Sequence, residues 1–199
     1  MRTLNIVKTI SVAVFWVVMA SCHKTENAII LSDYPNKIGD QWVYFVQDSL
    51  AHVNDTLTVT IVSAASLNGS ASLLWQYSYS NGLIDTLQAV TYGDTIDYYT
   101  NPPFPTLSFG LLFPIASGLS WKDNMGYKNA VTYISSYSSL GQNYASLYEI
   151  SHTDLSGGFA LTDNIYIESK IGIVYRKILE YNMGPEVNQT WTLINYHLN

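Results

Sequence analysis

The chain has 199 residues, 16 of them tyrosine, with 14% aromatic and only 12% charged side chains and a formal net charge of −6. An acidic surface repels phosphate backbones, which argues against nucleic acid as a partner, and it disfavours peripheral docking on anionic lipid. Aromatic and branched side chains pack well on a pleated surface, so the composition favours strands.

Residues 1–21 read as an export signal. Met1–Lys8 carries Arg2 and Lys8 and no acid, and Thr9–Ala20 is an apolar run of 12 residues, too short to span a bilayer as a helix. Met19-Ala20-Ser21-Cys22 follows and resembles the lipobox read by the lipoprotein signal peptidase, with Met19 in place of the usual Leu. Cys22, the sole cysteine, is the expected lipid-attachment residue. Acylation removes a lone thiol from an oxidising compartment. Its acyl chains each gain about 0.8 kcal/mol per buried CH₂, enough for stable anchoring. Loss of Arg2 and Lys8 with the leader takes the formal charge from −6 to −8. Residues 22–30 are read as lipidated cysteine and tether, and 31–199 as a single antiparallel β domain.

The first feature of that domain is Tyr34-Pro35-Asn36-Lys37-Ile38-Gly39-Asp40-Gln41-Trp42, which matches Phe113-Pro114-Ile115-Ala116-Ser117-Gly118-Leu119-Ser120-Trp121 in the pattern aromatic-Pro-x-x-x-Gly-x-x-Trp. Pro fixes φ, Gly permits a tight bend, and each turn delivers a Trp to the sheet, as core or as ligand lining. Thr56–Ile61 alternates polar and apolar; Trp75, Tyr77 and Tyr79 share one face. Asn68-Gly69 and Asn81-Gly82 are strong hairpin signals; Gly93-Asp94, Gly141-Gln142 and Gly157-Gly158 are weaker ones. Three prolines within Asn101–Pro105 forbid a central strand and predict a crossover loop between two halves. Trp191 and Leu193 share a face near the C-terminus. The expected fold is all-β: a strongly curved antiparallel meander, half-barrel or barrel-like, with at most one or two short helical turns.

Pro35, Gly39, Trp42 and Tyr44, the repeated Pro114, Gly118 and Trp121, the Gly172-Ile173-Val174-Tyr175 segment and the closing Trp191, Leu193 and Tyr196 resemble a group of secreted Gram-negative lipoproteins of poorly defined function. The resemblance implies a half-barrel like that of the carriers that shuttle lipoproteins across the periplasm. It transfers no activity.

Catalytic signals are sparse. His152-Thr153-Asp154 is the only His/acid neighbourhood, and it reads as a solvated strand end, since it offers two metal ligands at best. Asp94 and Asp97 have an odd spacing that places them on opposite strand faces, and Asp154 and Asp163 flank a turn. No nucleophile elbow or phosphate loop is present. No enzyme, metal or cofactor is expected. Four Asp-Ser/Thr-aliphatic tripeptides place Ser49, Thr56, Thr86 and Thr95 as candidate O-glycosylation sites; the same pattern arises where an Asp ends a turn and Thr starts a strand. The aromatic surplus nominates Trp42, Trp75, Tyr77, Tyr79 and Trp121 as ligand-lining, the alternative being a tyrosine-rich core. The functional expectation is an outer-membrane-anchored module that binds a hydrophobic or glycan ligand on an aromatic sheet. The alternative is an accessory subunit of an envelope protein complex.

Overall fold

The computed structural model describes residues 27–100, 105–123, 126–154, 159–182 and 185–199. The leader, Cys22 and the first part of the tether lie outside the described residues, as do Asn101–Phe104 and Gly157-Gly158.

Among the described residues, a 3₁₀ turn at Leu31–Asp33 precedes fourteen strands. They are β1 (Gln41–Asp48), β2 (Val53–Leu67), β3 (Ser70–Tyr79), β4 (Ile84–Tyr92), β5 (Thr95–Thr100), β6 (Leu107–Leu112), β7 (Ser120–Lys122), β8 (Lys128–Ile134), β9 (Tyr137–Ser139), β10 (Gln142–Tyr144), β11 (Leu147–Asp154), β12 (Phe159–Glu168), β13 (Gly172–Asn182) and β14 (Pro185–His197). Twelve form one antiparallel sheet in the order β6-β5-β4-β3-β2-β1-β14-β13-β12-β11-β8-β7, curled into a nearly closed barrel; β9 and β10 form a separate hairpin. The fold is therefore all-β.

Alternation makes the curl. Trp42, Tyr44 and Val46 of β1, Leu57, Val59 and Ile61 of β2, and Trp75 and Tyr77 of β3 all turn inward. A bulge between Ile61 and Ser63 shifts the register beyond Ile61 and leaves Val62 exposed. Asn68 and Gly69 both take positive φ, at 50° and 85°, as the β2–β3 hairpin requires.

β5 and β6 are adjacent, joined across their ends by Thr100 N–H donating to Thr106 O at 2.9 Å. The strands on either side of the proline-rich segment are therefore neighbours in the sheet, which corrects the crossover between two halves expected there; Asn101–Phe104 themselves lie outside the described residues. Prolines exclude a central strand but are compatible with any loop, so they do not say which strands the loop joins.

The two Pro/Gly/Trp turns have the same hydrogen bonding. Gly39 N–H donates to Ile61 O at 2.8 Å and Ile61 N–H to Asp40 O at 3.0 Å. Gly118 N–H donates to Val131 O at 3.0 Å and Val131 N–H to Leu119 O at 2.9 Å. Both glycines have positive φ, 93° and 82°. The first turn launches β1 and the second launches β7.

The strands of the large sheet run up and down between two ends. The near end carries the 27–40 segment, the β12–β13 turn and the end of β14; the far end carries the β1–β2 and β3–β4 turns. Ile29 is buried and exchanges two backbone hydrogen bonds with Ile115, and Tyr148 Oη donates to Asn27 O at 3.0 Å. Residues 27–30, assigned to the tether from sequence, thus already belong to the folded body.

Candidate functional site

The barrel interior is filled by its own side chains. Trp42 and Trp75 stack at 5.2 Å, Trp75 meets Tyr98 edge-on at 5.2 Å, and Tyr98 stacks on Phe109 at 4.2 Å. Trp191 packs against Tyr44 and Tyr77 on the other side. Between these groups lies the Arg176 guanidinium, 5.0 Å from the Phe109 ring centre and 4.9 Å from that of Trp191. Arg176 pairs with Asp163 through Nη2–Oδ2 at 2.6 Å and Nε–Oδ1 at 3.0 Å, a two-pronged contact. Burial opposes its charge, but the Asp163 carboxylate and its hydrogen bonds more than offset that and hold the guanidinium pKa above its ordinary value. The neighbouring phenols stay protonated: burial pushes Tyr34 up to about 12, and Tyr44 and Tyr98 well above their ordinary value.

A polar row continues from this pair. His152 lies opposite Asp163 on one side and Asn129 on the other. Its Nδ1 is 2.8 Å from Asn129 Oδ1 and 3.7 Å from Asp123 Oδ2. Its Nε2 is buried with no hydrogen-bond partner among the described residues. Burial, opposed chiefly by Asp123, lowers its pKa and keeps it neutral. His152 is thus a buried interior residue, which corrects the solvated strand end read from sequence. The acids brought to it by the fold are Asp163, opposite it on β12, and Asp123, 3.7 Å away beyond β8, in addition to its sequence neighbour Asp154. No cluster of three or more metal-ligating side chains occurs among the described residues.

The open feature is at the seam, where the two edge strands of the sheet meet without a ladder. A cleft of about 480 Å³ there is lined by Tyr92, Thr95, Asp97, Tyr99, Gly110, Leu112, Trp121, Lys122 and Asp123. Ile96 and Tyr98 fill the core, so alternation projects Asp97 and Tyr99 from the opposite face, toward the β7 edge. Asp97 is held from below: Gly110 lies opposite it, and a Cβ there would sit 2.5 Å from Asp97 Oδ1. The absence of a side chain at Gly110 is what admits the carboxylate. Tyr99 Oη donates to Asp97 Oδ2 at 3.3 Å, while burial raises the Asp97 pKa and Asp123 adds to the rise.

The residues nominated from sequence divide sharply. Trp42, Trp75 and Tyr77 are buried in the packed interior. Trp121 lines the seam cleft, and Tyr79 lines a smaller far-end hollow of about 290 Å³ with Val53, Leu83, Asp48 and Asp55. Asp97, Tyr99, Gly110 and Asp123 were missed as site residues. Ser49 and Thr56 are exposed, and Thr86 and Thr95 are half-buried. Of the acids preceding them, Asp48 caps a turn, its Oδ1 accepting from Leu50 and Ala51 N–H, whereas Asp55 and Asp85 lie within β2 and β4 and accept from the next residue's N–H, Thr56 at 2.6 Å and Thr86 at 2.7 Å. The turn-capping geometry holds for the Asp48 tripeptide alone among these three.

No protein-family model matches the chain, and no curated protein does. Two solved structures are similar in shape. One is a candidate lipoprotein from Parabacteroides distasonis, with TM-score 0.44 and 12% identity over 86% of this chain and 100% of that one. The other is a candidate exported protein with a YmcC-like fold from Bacteroides fragilis, with TM-score 0.40 and 10% identity over the same shares.

Proposed function

We propose that the chain is a non-enzymatic, outer-membrane-anchored lipoprotein that binds a glycan in the seam cleft. The cleft's chemistry supports this reading. Three rings, Tyr92, Tyr99 and Trp121, stand beside two carboxylates, Asp97 and Asp123, in a cleft of about 480 Å³, within the ordinary size range of small-molecule sites. Ring faces stack on the C–H faces of a sugar, and carboxylates accept hydrogen bonds from its hydroxyls. A hydrophobic ligand would need an empty hollow, and the hollow of this barrel holds Trp42, Trp75, Tyr98 and Phe109 instead.

That filled interior also favours a second reading, an accessory subunit of an envelope complex with no small-molecule ligand. A glycan array followed by titration calorimetry on a Cys22→Ser form separates the two. The expected result is saturable glycan binding, weakened at least tenfold by Trp121→Ala and by Asp97→Asn, with folding intact by circular dichroism. Absence of glycan binding, together with a stoichiometric protein partner in native mass spectrometry, would establish the accessory role in its place.

A further inference from the structure

Two observations bear on which way the molecule stands on its membrane, and the first decides, because exposed aliphatic side chains occur at both ends, with Leu50, Val53, Leu83 and Ile84 at the far one. The first is covalent. Five residue steps separate Cys22 from Asn27, a reach of no more than about 18 Å at roughly 3.6 Å per residue. Asn27 is bonded to Tyr148 and Ile29 is locked to Ile115, so the folded body begins there. An acyl chain on Cys22 therefore holds the near end of the barrel against the bilayer.

The second observation is what that end displays. Ile30 is 51% exposed and Ile38 52% exposed, two large aliphatic side chains within nine residues of one turn segment. Lys37 and Lys170 line a shallow cleft at the same end with Tyr34, Pro35 and Leu198 and with two acids, Asp33 and Asp40, and the Lys37 ammonium donates to Asn199 O at 3.0 Å. The Lys170 N–H donates to Asp33 O at 2.8 Å, which fastens the β12–β13 turn beside that segment. Aliphatic side chains flanked by lysines suit the boundary between acyl chains and lipid headgroups, where lysine stems lie along the apolar layer and their ammonium groups reach phosphate. Without an anchor such a small patch binds weakly; with one, the bilayer is held within reach and the patch needs only to orient.

We infer that the near end of the barrel is a membrane-contact surface, with Ile30 and Ile38 seated at the lipid interface and the far end, carrying Ser49, Thr56 and Leu83, directed away from the bilayer. The inference rests on acylation of Cys22. Because the acylated cysteine is the only native one, an introduced cysteine is the sole free thiol. The test places an environment-sensitive fluorophore on Ile38→Cys or on Leu83→Cys of the full lipidated protein in phosphatidylcholine vesicles carrying a headgroup quencher. Quenching at position 38 at least threefold stronger than at position 83 is expected. A protein that floats with the vesicles but is quenched equally at both positions overturns the orientation alone. A protein that fails to float overturns the anchor, and the orientation with it.

Discussion

The segments ending in Trp42 and Trp121 share one turn and part company at the tryptophan. Each bends through a positive-φ glycine and exchanges two backbone hydrogen bonds with the neighbouring strand. Trp42 is 2% exposed, stacks on Trp75 and donates from Nε1 to Ile171 O at 2.6 Å. Trp121 is half-buried and forms a wall of the seam cleft. The difference lies in what stands next to each strand. β1 has ladders on both sides, whereas β7 has only β8. A local motif fixes the turn; the position of its strand in the sheet decides whether the delivered ring becomes core or cleft.

The widest gap between the two turns is in stability. Trp42→Ala removes a fully packed ring and is expected to cost about 4 kcal/mol. Trp121→Ala leaves a cleft that was already open and is expected to cost under about 1.5 kcal/mol, both read from urea unfolding midpoints. Equal losses would mean that the cleft wall is core after all.

The strands that follow each turn differ too. β1–β3 present an apolar inner wall, while β8 and β11–β13 carry Asn129, His152, Asp163 and Arg176. Polar interiors depend on partners. Asp163→Ala strands a buried guanidinium and is expected to cost about 3 kcal/mol. The paired replacement Asp163→Leu with Arg176→Met is expected to recover most of that loss, measured by thermal unfolding. Failure to recover would show that the charge itself organises the interior.

The smallest effect concerns pH. His152 has a folded-state pKa below its unfolded value near 6.5, so the unfolded chain binds the extra proton first. Stability is thus present above pH 6.5 and declines as pH falls toward the lowered value. Asp123, Asp154 and Asp163 oppose that shift, and Arg176 joins burial in favouring it. His152→Asn is expected to flatten the melting temperature between pH 7 and pH 5. An unchanged slope would assign the acid sensitivity to other groups.

Much of the fold was written locally. Alternation at Trp42, Tyr44 and Val46, and the Asn68-Gly69 hairpin, depend on neighbours a few residues apart. The cleft was not legible, because it depends on which two edges of a twelve-stranded sheet come to face each other. His152 was misread for the same reason: the acids brought to it lie 11 positions later, at Asp163, and 29 positions earlier, at Asp123. One signal was available. Arg176 stands two residues from Val174, and Asp163 two from Ile165, so both shared the inward face with core residues. A charge at an inward position needs a partner, and that requirement points to their pairing.

The Phe109–Arg176 contact has a mechanical meaning. β6 is hydrogen-bonded along one side only, so no amide ladder crosses the gap in the barrel wall. What reaches Phe109 from the opposite wall is a guanidinium pinned by Asp163. There the edge strand is tied to β13 through the interior, by charge on ring rather than by a backbone ladder.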